Sequence, residues 1–323
     1  MTEQLTETTI EIFGRDVETG LSSQPKFLSS QYFYDSNGDE LFREIMKLPE
    51  YYLTRCEFEI IEFNKNKILK HCQQNGYEFD LIELGAGDGF KTKILLEHFI
   101  QKKANFKYLP VDISQNALNE LQKDLTINFP DLKYEPLLGE YFTAIEELNK
   151  VDSNNKMVLF LGSNVGNFSE ENANKFLARL SELLTSGDKV MIGFDLKKDP
   201  ELIKNAYDDS AGITRLFNLN LFRRINRELD ADFDVTSFKH TATYDPESGA
   251  MKSFLVSQKK QDIRIGKLGK SFHFDQWESI FMEVSQKYDL KAIQTFAENN
   301  GFKLIENLFD CKHYFVDSVW EKL

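Results

Sequence analysis

The sequence predicts an α/β protein built on a doubly wound parallel sheet, with a second, α+β lobe. Three observations predict it. From residue 79 to 196, short apolar runs alternate with amphipathic helical stretches, the pattern of strand–helix–strand units. A glycine loop, Gly85-Ala86-Gly87-Asp88-Gly89, sits at the first strand-to-helix junction. The alternation then stops over 198–285 and returns near the end, which marks an insertion.

Each element has its own local reason. "FDLIEL" (79–84) is a short buried strand, and 90–101 suits a helix. "FKYLPVDI" (106–113) is a second strand. Ser114 can cap a helix that carries Ala117, Leu118, Leu121 and Leu125 on one face. "LKYEPLL" (132–138) and "KMVLFLG" (156–162) are further strands. Ser169 can cap a helix whose stripe of Phe176, Leu177, Leu180, Leu183 and Leu184 ends at Gly187. "KVMIGFDL" (189–196) is a fifth strand, and a helix near 289–299 stops at Gly301 before two last strands. The expected division is 61–197 with 286–323 for the sheet domain, and 1–60 with 198–285 for the second lobe.

Composition removes several function classes. A net charge of -13 over 323 residues argues against a phosphate-tracking surface, hence against nucleic acid. Three dispersed cysteines without a CxxC pair read as reduced thiols in the cytoplasm. Five histidines without clustered ligands argue against a metal site. "MTEQLTETTIEIFG" lacks the basic start and apolar run of a signal peptide, and no stretch is long and apolar enough to span a membrane. A monomer acting on a small molecule is the expectation.

The glycine loop fits one of three templates. The dinucleotide fingerprint and the P-loop both need glycine at 90, where Phe90 stands. What remains is an acid, Glu83, two residues before Gly85, followed by GxGxG. This resembles motif I of S-adenosylmethionine-dependent methyltransferases. Gly85 and Gly87 let the backbone pass close to a ligand. Asp112, at the end of the second strand, can accept both ribose hydroxyls. Glu140 can accept from an adenine amino group, and Tyr141 can pack on its ring. Without a ligand, the same residues would make a tight turn and surface acids.

Longer stretches carry a family resemblance. "PKFLSSQYFYDSNGDELFREIMKLPEYYLTRCEFEI" (25–60), "FLGSNVGNFS" (160–169), "YDDSAGITRLFNLNLFRRINRELDADFD" (207–234) and "MEVSQKY" (282–288) resemble the L-histidine Nα-methyltransferases of ergothioneine biosynthesis. The resemblance covers nearly the whole chain in the same order. It implies a Rossmann-like class I methyltransferase domain, a substrate-binding lobe, and transfer of three methyl groups to the α-amine of histidine. It implies that Tyr51 lies near the substrate amine, with Tyr34 and Phe42 as neighbouring walls. It implies that Asn167 and Tyr207 bind the substrate carboxylate, and that Glu283 and Ser285 read the imidazole. Gly85, Lys91, Asp112, Glu140 and Tyr141 match the cofactor positions. One position departs: in "MKSFLVS", Ser253 stands where characterised members often carry Met, so a small polar wall replaces an apolar one.

The chemistry agrees with these residues. Methyl transfer from a sulfonium needs no metal and no covalent intermediate; it needs a neutral amine aligned with the methyl. Glu283 and Ser285, two apart on a strand, share a face and can engage both imidazole nitrogens. Tyrosine faces suit a quaternary ammonium product. Two alternatives stand beside histidine: another aromatic amino acid as acceptor, or a catalytically silent cofactor-binding protein.

Overall fold

The computed structural model describes residues 9–73, 77–151 and 154–323; residues 1–8, which open the stretch expected not to be a leader, lie outside these. The chain divides into two compact units, one holding the residues up to Tyr52 with Lys198–Ser285, the other Leu53–Lys197 with Gln286–Leu323. The first boundary falls at Tyr52 and not at 60. The reason is the helix α1 (Tyr52–Cys72), whose Glu57 is bound to the backbone of Gly162 within the larger unit.

The larger unit is a seven-stranded sheet. Its strands are β1 (Phe79–Leu84), β2 (Phe106–Asp112), β3 (Leu137–Leu138), β4 (Asn155–Phe160), β5 (Lys189–Asp195), β6 (Phe302–Phe309) and β7 (Phe315–Lys322). They lie in the order β3-β2-β1-β4-β5-β7-β6. β1 is parallel to both β2 and β4, while β7 runs antiparallel between β5 and β6. The strand order therefore reverses at β1/β4. Open α/β sheets bind ligands in the crevice beyond the carboxyl ends of the strands at such a point, and the glycine loop leaves β1 there.

Five more helices in this unit are α2 (Thr92–Gln101), α3 (Gln115–Asn128), α4 (Tyr141–Val151), α5 (Glu170–Leu183) and α6 (Leu290–Asn299). Ser114 caps α3 by accepting from Ala117 N, and Ser169 caps α5 by accepting from Asn172 N, as the sequence predicts. α5 buries Ala173, Phe176, Leu177 and Leu180 against the sheet. Each such leucine contributes about 1.5–3 kcal/mol by leaving water. α5 stops at Leu183, short of Gly187, because Asp188 Oδ2 accepts from both N and Oγ1 of Thr185 at 2.8 Å. β3 is much shorter than 132–138: Pro136 has no N–H for the ladder, and only the Tyr108–Tyr134 bridge precedes it.

The smaller unit has a four-stranded sheet in the order Lys26–Phe27, Ser279–Gln286, Ala250–Ser257, Phe238–Tyr244. A two-stranded ribbon, Gln261–Ile265 with Lys270–Phe274, stands apart from it. Its helices are Thr9–Ser22, Ser36–Lys47, Pro200–Tyr207 and Ile213–Leu229. Asp199 caps the third by accepting from Glu201 N, and Pro200 suits the first helical position because no N–H is needed there. A stack of Phe222, Phe233, Phe238 and Phe274 joins the long helix to both sheets. Among the described residues, no helix is long and apolar enough to cross a membrane.

Candidate active site

In the larger unit, the chain leaves β1 through Gly85 and Gly87, at φ of 74° and 53°, a region that strains any side chain. A Cβ at Gly85 would lie 3.0 Å from Tyr141 Oη, and one at Gly87 would enter open space. The loop thus presents bare backbone. Asp112 secures it: Oδ2 accepts from Gly87 N at 3.0 Å and Oδ1 from Ser114 N at 2.8 Å. A carboxylate has about four acceptor sites, so two remain for a diol. Tyr141 flanks the loop half-buried, its hydroxyl pushed up to about 12 by burial and by the Asp112 charge. Glu140 is exposed beside it. Open space over Gly87, spare acceptors on Asp112 and a tyrosine face fit an adenosyl ligand.

Glu83 is placed differently from its neighbours. It is buried under the loop, where Oε1 accepts from Thr92 Oγ1 and Oε2 from Tyr108 Oη, both at 2.5 Å. Both oxygens are taken by the protein itself. Burial pushes this carboxyl up to about 7, against the hydrogen bonds from Thr92 and Tyr108. Lys91 pairs with Glu57, and its Nζ lies 3.5 Å from where a Gly162 Cβ would stand. Asn167 is exposed at the end of a 3-10 turn, Asn164–Asn167, that follows β4.

In the smaller unit, the expected wall residues do gather. Tyr34 and Phe42 meet edge-to-face at 5.7 Å, Phe42 and Tyr51 at 6.3 Å, and Tyr51 and Tyr207 at 6.2 Å. Phe217 lies 5.6 Å from Tyr34 and 5.8 Å from Phe42, closing the group. Tyr34 is exposed and Tyr51 and Tyr207 are buried, so the row runs from solvent inward. At its buried end Tyr207 Oη and Ser285 Oγ share a hydrogen bond of 2.7 Å. Glu283 is half-buried on the same strand as Ser285. Ser253 is buried opposite Ala242 on the antiparallel pair, on the face that also carries His240.

The sequence alone does not reveal several groups. Phe217 carries a signal only as one apolar position in a helical stripe. Asp209 accepts from Ile213 N and Thr214 N; burial raises its carboxyl, but the Thr214 bonds prevail and hold it below the usual range. Around it stand buried polar atoms without hydrogen-bond partners: Asn218 Oδ1 and both ring nitrogens of His240. Burial keeps the His240 imidazole below its ordinary pKa, although Asp208 Oδ1 lies 3.7 Å away. Unsatisfied buried groups cost about 1–3 kcal/mol each, so such a cluster invites a polar ligand. In the larger unit, Glu57 and Asn164, whose side chain approaches Gly85, also carry no mark in the sequence.

The strand order, the bare loop and the acid at the end of β2 define an S-adenosylmethionine-dependent methyltransferase. A family model described as histidine-specific methyltransferase, SAM-dependent, matches residues 13–322. The chain belongs to that family. The histidine N-alpha-methyltransferase of Mycobacterium tuberculosis is 33% identical over 279 residues, covering 86% of this chain and 85% of that protein. That of Mycolicibacterium smegmatis is 32% identical over 278 residues, covering 86% and 85%. The 4-dimethylallyltryptophan N-methyltransferase of Claviceps purpurea is 28% identical over 197 residues, covering 58% of this chain and 56% of that protein.

Proposed function

We propose that this enzyme methylates the α-amine of L-histidine, to the trimethylated betaine used in ergothioneine biosynthesis. The observation that carries the reading is the aromatic row Tyr34–Phe42–Tyr51–Tyr207 with Phe217, ending on the Tyr207–Ser285 hydrogen bond. Aromatic faces stabilise an ammonium by about 0.5–2 kcal/mol, and the polar end supplies hydroxyls. Relatives named for histidine Nα-methylation support it.

When bound, S-adenosylmethionine supplies a sulfonium methyl to an amine lone pair. Asp112 holds the ribose hydroxyls, Tyr141 and Glu140 take the adenine end, and Gly85 and Gly87 admit the ligand to the backbone. Lys91 offers its ammonium to an anionic group. Tyr51 accepts a hydrogen bond from the substrate amine and so orients the lone pair. Tyr207 donates to the substrate carboxylate. Glu283 accepts an imidazole N–H, and Ser285 serves the other nitrogen. Each methylation removes an N–H, so the aromatic faces of Tyr34, Phe42, Tyr51 and Phe217 become the main contacts of the quaternary product.

A second acceptor class, larger aromatic amino acids, is favoured by one observation. Ser253 and Ala242 face each other as two small residues on one sheet face. The test is a screen of the twenty amino acids as methyl acceptors, with mass spectrometry of the products. Trimethylhistidine as the dominant product supports the histidine reading; a higher kcat/KM with tryptophan or phenylalanine replaces it with the second.

A further inference from the structure

The larger unit buries a pair of carboxyls beside the cofactor cradle. α1 turns Glu57 onto the sheet, fully buried. Its Oε1 accepts from Gly162 N at 2.7 Å, and its Oε2 pairs with Lys91 Nζ. A Cβ on Gly193 would stand 2.4 Å from Glu57 Oε1, so the carboxylate rests on bare β5 backbone. The cross-strand partner of Gly193 is Asp317 of β7. Asp317 is also fully buried, and neither of its oxygens meets a donor. What stands beside it is Glu57, itself an acceptor.

Two buried carboxyls in contact cannot both stay ionised; one keeps a proton and shares it. Glu57 already receives a backbone N–H and the Lys91 ammonium. Asp317 receives neither. Burial and the Glu57 charge both drive its carboxyl well above the usual range. Beside burial, the groups that act on Asp317 are Glu57 and Lys91, and three other carboxyls of this unit have partners of their own. Asp195 of β5 is paired with Lys287 at 2.7 Å, and Glu306 of β6 with Lys67 and His71 of α1. Glu83 of β1 is held by Thr92 and Tyr108.

We propose that Asp317 is a positioning residue for the cofactor site: it keeps its proton, donates it to Glu57, and so fixes Glu57 and, through it, the Lys91 ammonium. With Asp317 neutral, Lys91 and Glu57 balance, and the remaining Lys91 protons can meet an anionic group of the ligand. With Asp317 ionised, a second carboxylate competes for Lys91 and the site turns net negative. The inference rests on the reading that Lys91 belongs to the cofactor cradle.

The experiment combines S-adenosylhomocysteine binding by calorimetry with difference infrared spectroscopy. Asp317→Asn keeps a donor toward Glu57 and is expected to bind within about twofold of wild type, while Asp317→Ala weakens binding about tenfold or more. The wild-type-minus-Asp317→Asn spectrum at about pH 8 is expected to show the carbonyl stretch of a protonated carboxyl. That band does not depend on Asp317→Ala folding, and Glu83 cancels in the difference. Absence of the band, or wild-type affinity in a folded Asp317→Ala, overturns the proposal. Lys91→Met separates the two levels. If it leaves binding unchanged, the cradle reading of Lys91 fails and the relay with it. If it weakens binding while both Asp317 variants bind like wild type, only the relay fails.

Discussion

Tyr207 Oη and Ser285 Oγ lie 2.7 Å apart, both side chains buried, one at the end of the helix Pro200–Tyr207 and the other on the strand Ser279–Gln286. The residue assigned to the substrate carboxylate therefore touches a residue assigned to the imidazole. On the proposed assignment, the two ends of the substrate would be read by hydroxyls that bond to each other.

That coupling predicts how Tyr207→Phe behaves. Losing the hydroxyl removes a donor to the carboxylate and leaves Ser285 without this partner, each about 1 kcal/mol or more. Histamine, which lacks the carboxylate, should be a very poor acceptor for wild type. The expected result is a drop of about tenfold or more in kcat/KM for histidine and a smaller one for histamine, which keeps only the Ser285 part of the loss. Equal losses for both would detach Tyr207 from the carboxylate.

Asp112 braces the loop and is proposed to hold the ribose, and substitution tests the second role. It braces the loop through Gly87 N and Ser114 N and has acceptors to spare. Asp112→Ala should weaken S-adenosylhomocysteine binding by about 1–3 kcal/mol, the scale of charge-assisted hydrogen bonds. Asp112→Asn keeps one acceptor oxygen and should fall between. Calorimetry that finds NAD bound tightly, with no binding of S-adenosylmethionine or S-adenosylhomocysteine, would refute the cradle as drawn.

Much of the sheet domain is legible in the chain because its signals are local. Phe79, Leu81, Ile82 and Leu84 make a short apolar strand closed by glycine, and Ser114 and Ser169 bond to amides three residues on. Even the shortened β3 has a local cause in Pro136. The aromatic row is legible only through long family-like segments, since one Tyr or Phe among 12 Tyr and 28 Phe carries no mark of its own. Phe217, Thr214 and His240 need the fold, because their meaning lies in what they meet. Glu57 and Asp317 are far apart in sequence and adjoin only through the bare Gly193 backbone, an arrangement no periodicity announces.

Glu83 predicts a stability change with pH. Its folded carboxyl is raised to about 7, from an ordinary value of 4.5, chiefly by burial. Below the lower value the group is protonated in both states and costs nothing. As pH rises from there through about 7 the unfolded state ionises first, so stability falls, by roughly 3 kcal/mol at most. Glu83→Gln stays neutral and should lose this slope. Thermal melts of both proteins across that range check it; parallel curves would remove Glu83 as the cause.

Phe217 predicts a change in product distribution. Its ring closes the group formed with Tyr34 and Phe42. Phe217→Leu keeps much of the bulk and loses the aromatic face. The first methylation retains N–H groups and should be least affected. The last forms a quaternary ammonium and depends most on ring faces, about 0.5–2 kcal/mol. The ratio of tri- to dimethylated product should fall severalfold by mass spectrometry; an unchanged ratio would make Phe217 a packing residue alone.

Glu283 and Ser253 predict opposite changes in specificity. A site built to hydrogen-bond a ring N–H strongly rejects analogues that lack it, because its polar groups are left unpaired. Glu283→Ala should therefore depress histidine turnover far more than turnover of phenylalanine or tryptophan, and narrow the preference between them. Ser253 is buried opposite Ala242, so the wall at this point is made of two small side chains. Ser253→Met would put a longer apolar chain at this point of the face and should lower KM for histidine with kcat little changed, because packing that is equal in ground and transition states tightens uniform binding. The same added volume should penalise tryptophan, whose ring is wider. Competition kinetics with histidine, tryptophan and phenylalanine on wild type and both variants separates these effects. Were Glu283→Ala to leave the histidine preference intact, the carboxylate would not read the ring, and the imidazole contact would have to be sought elsewhere, first at Asn218 and His240, whose Oδ1 and ring nitrogens are buried without a hydrogen bond.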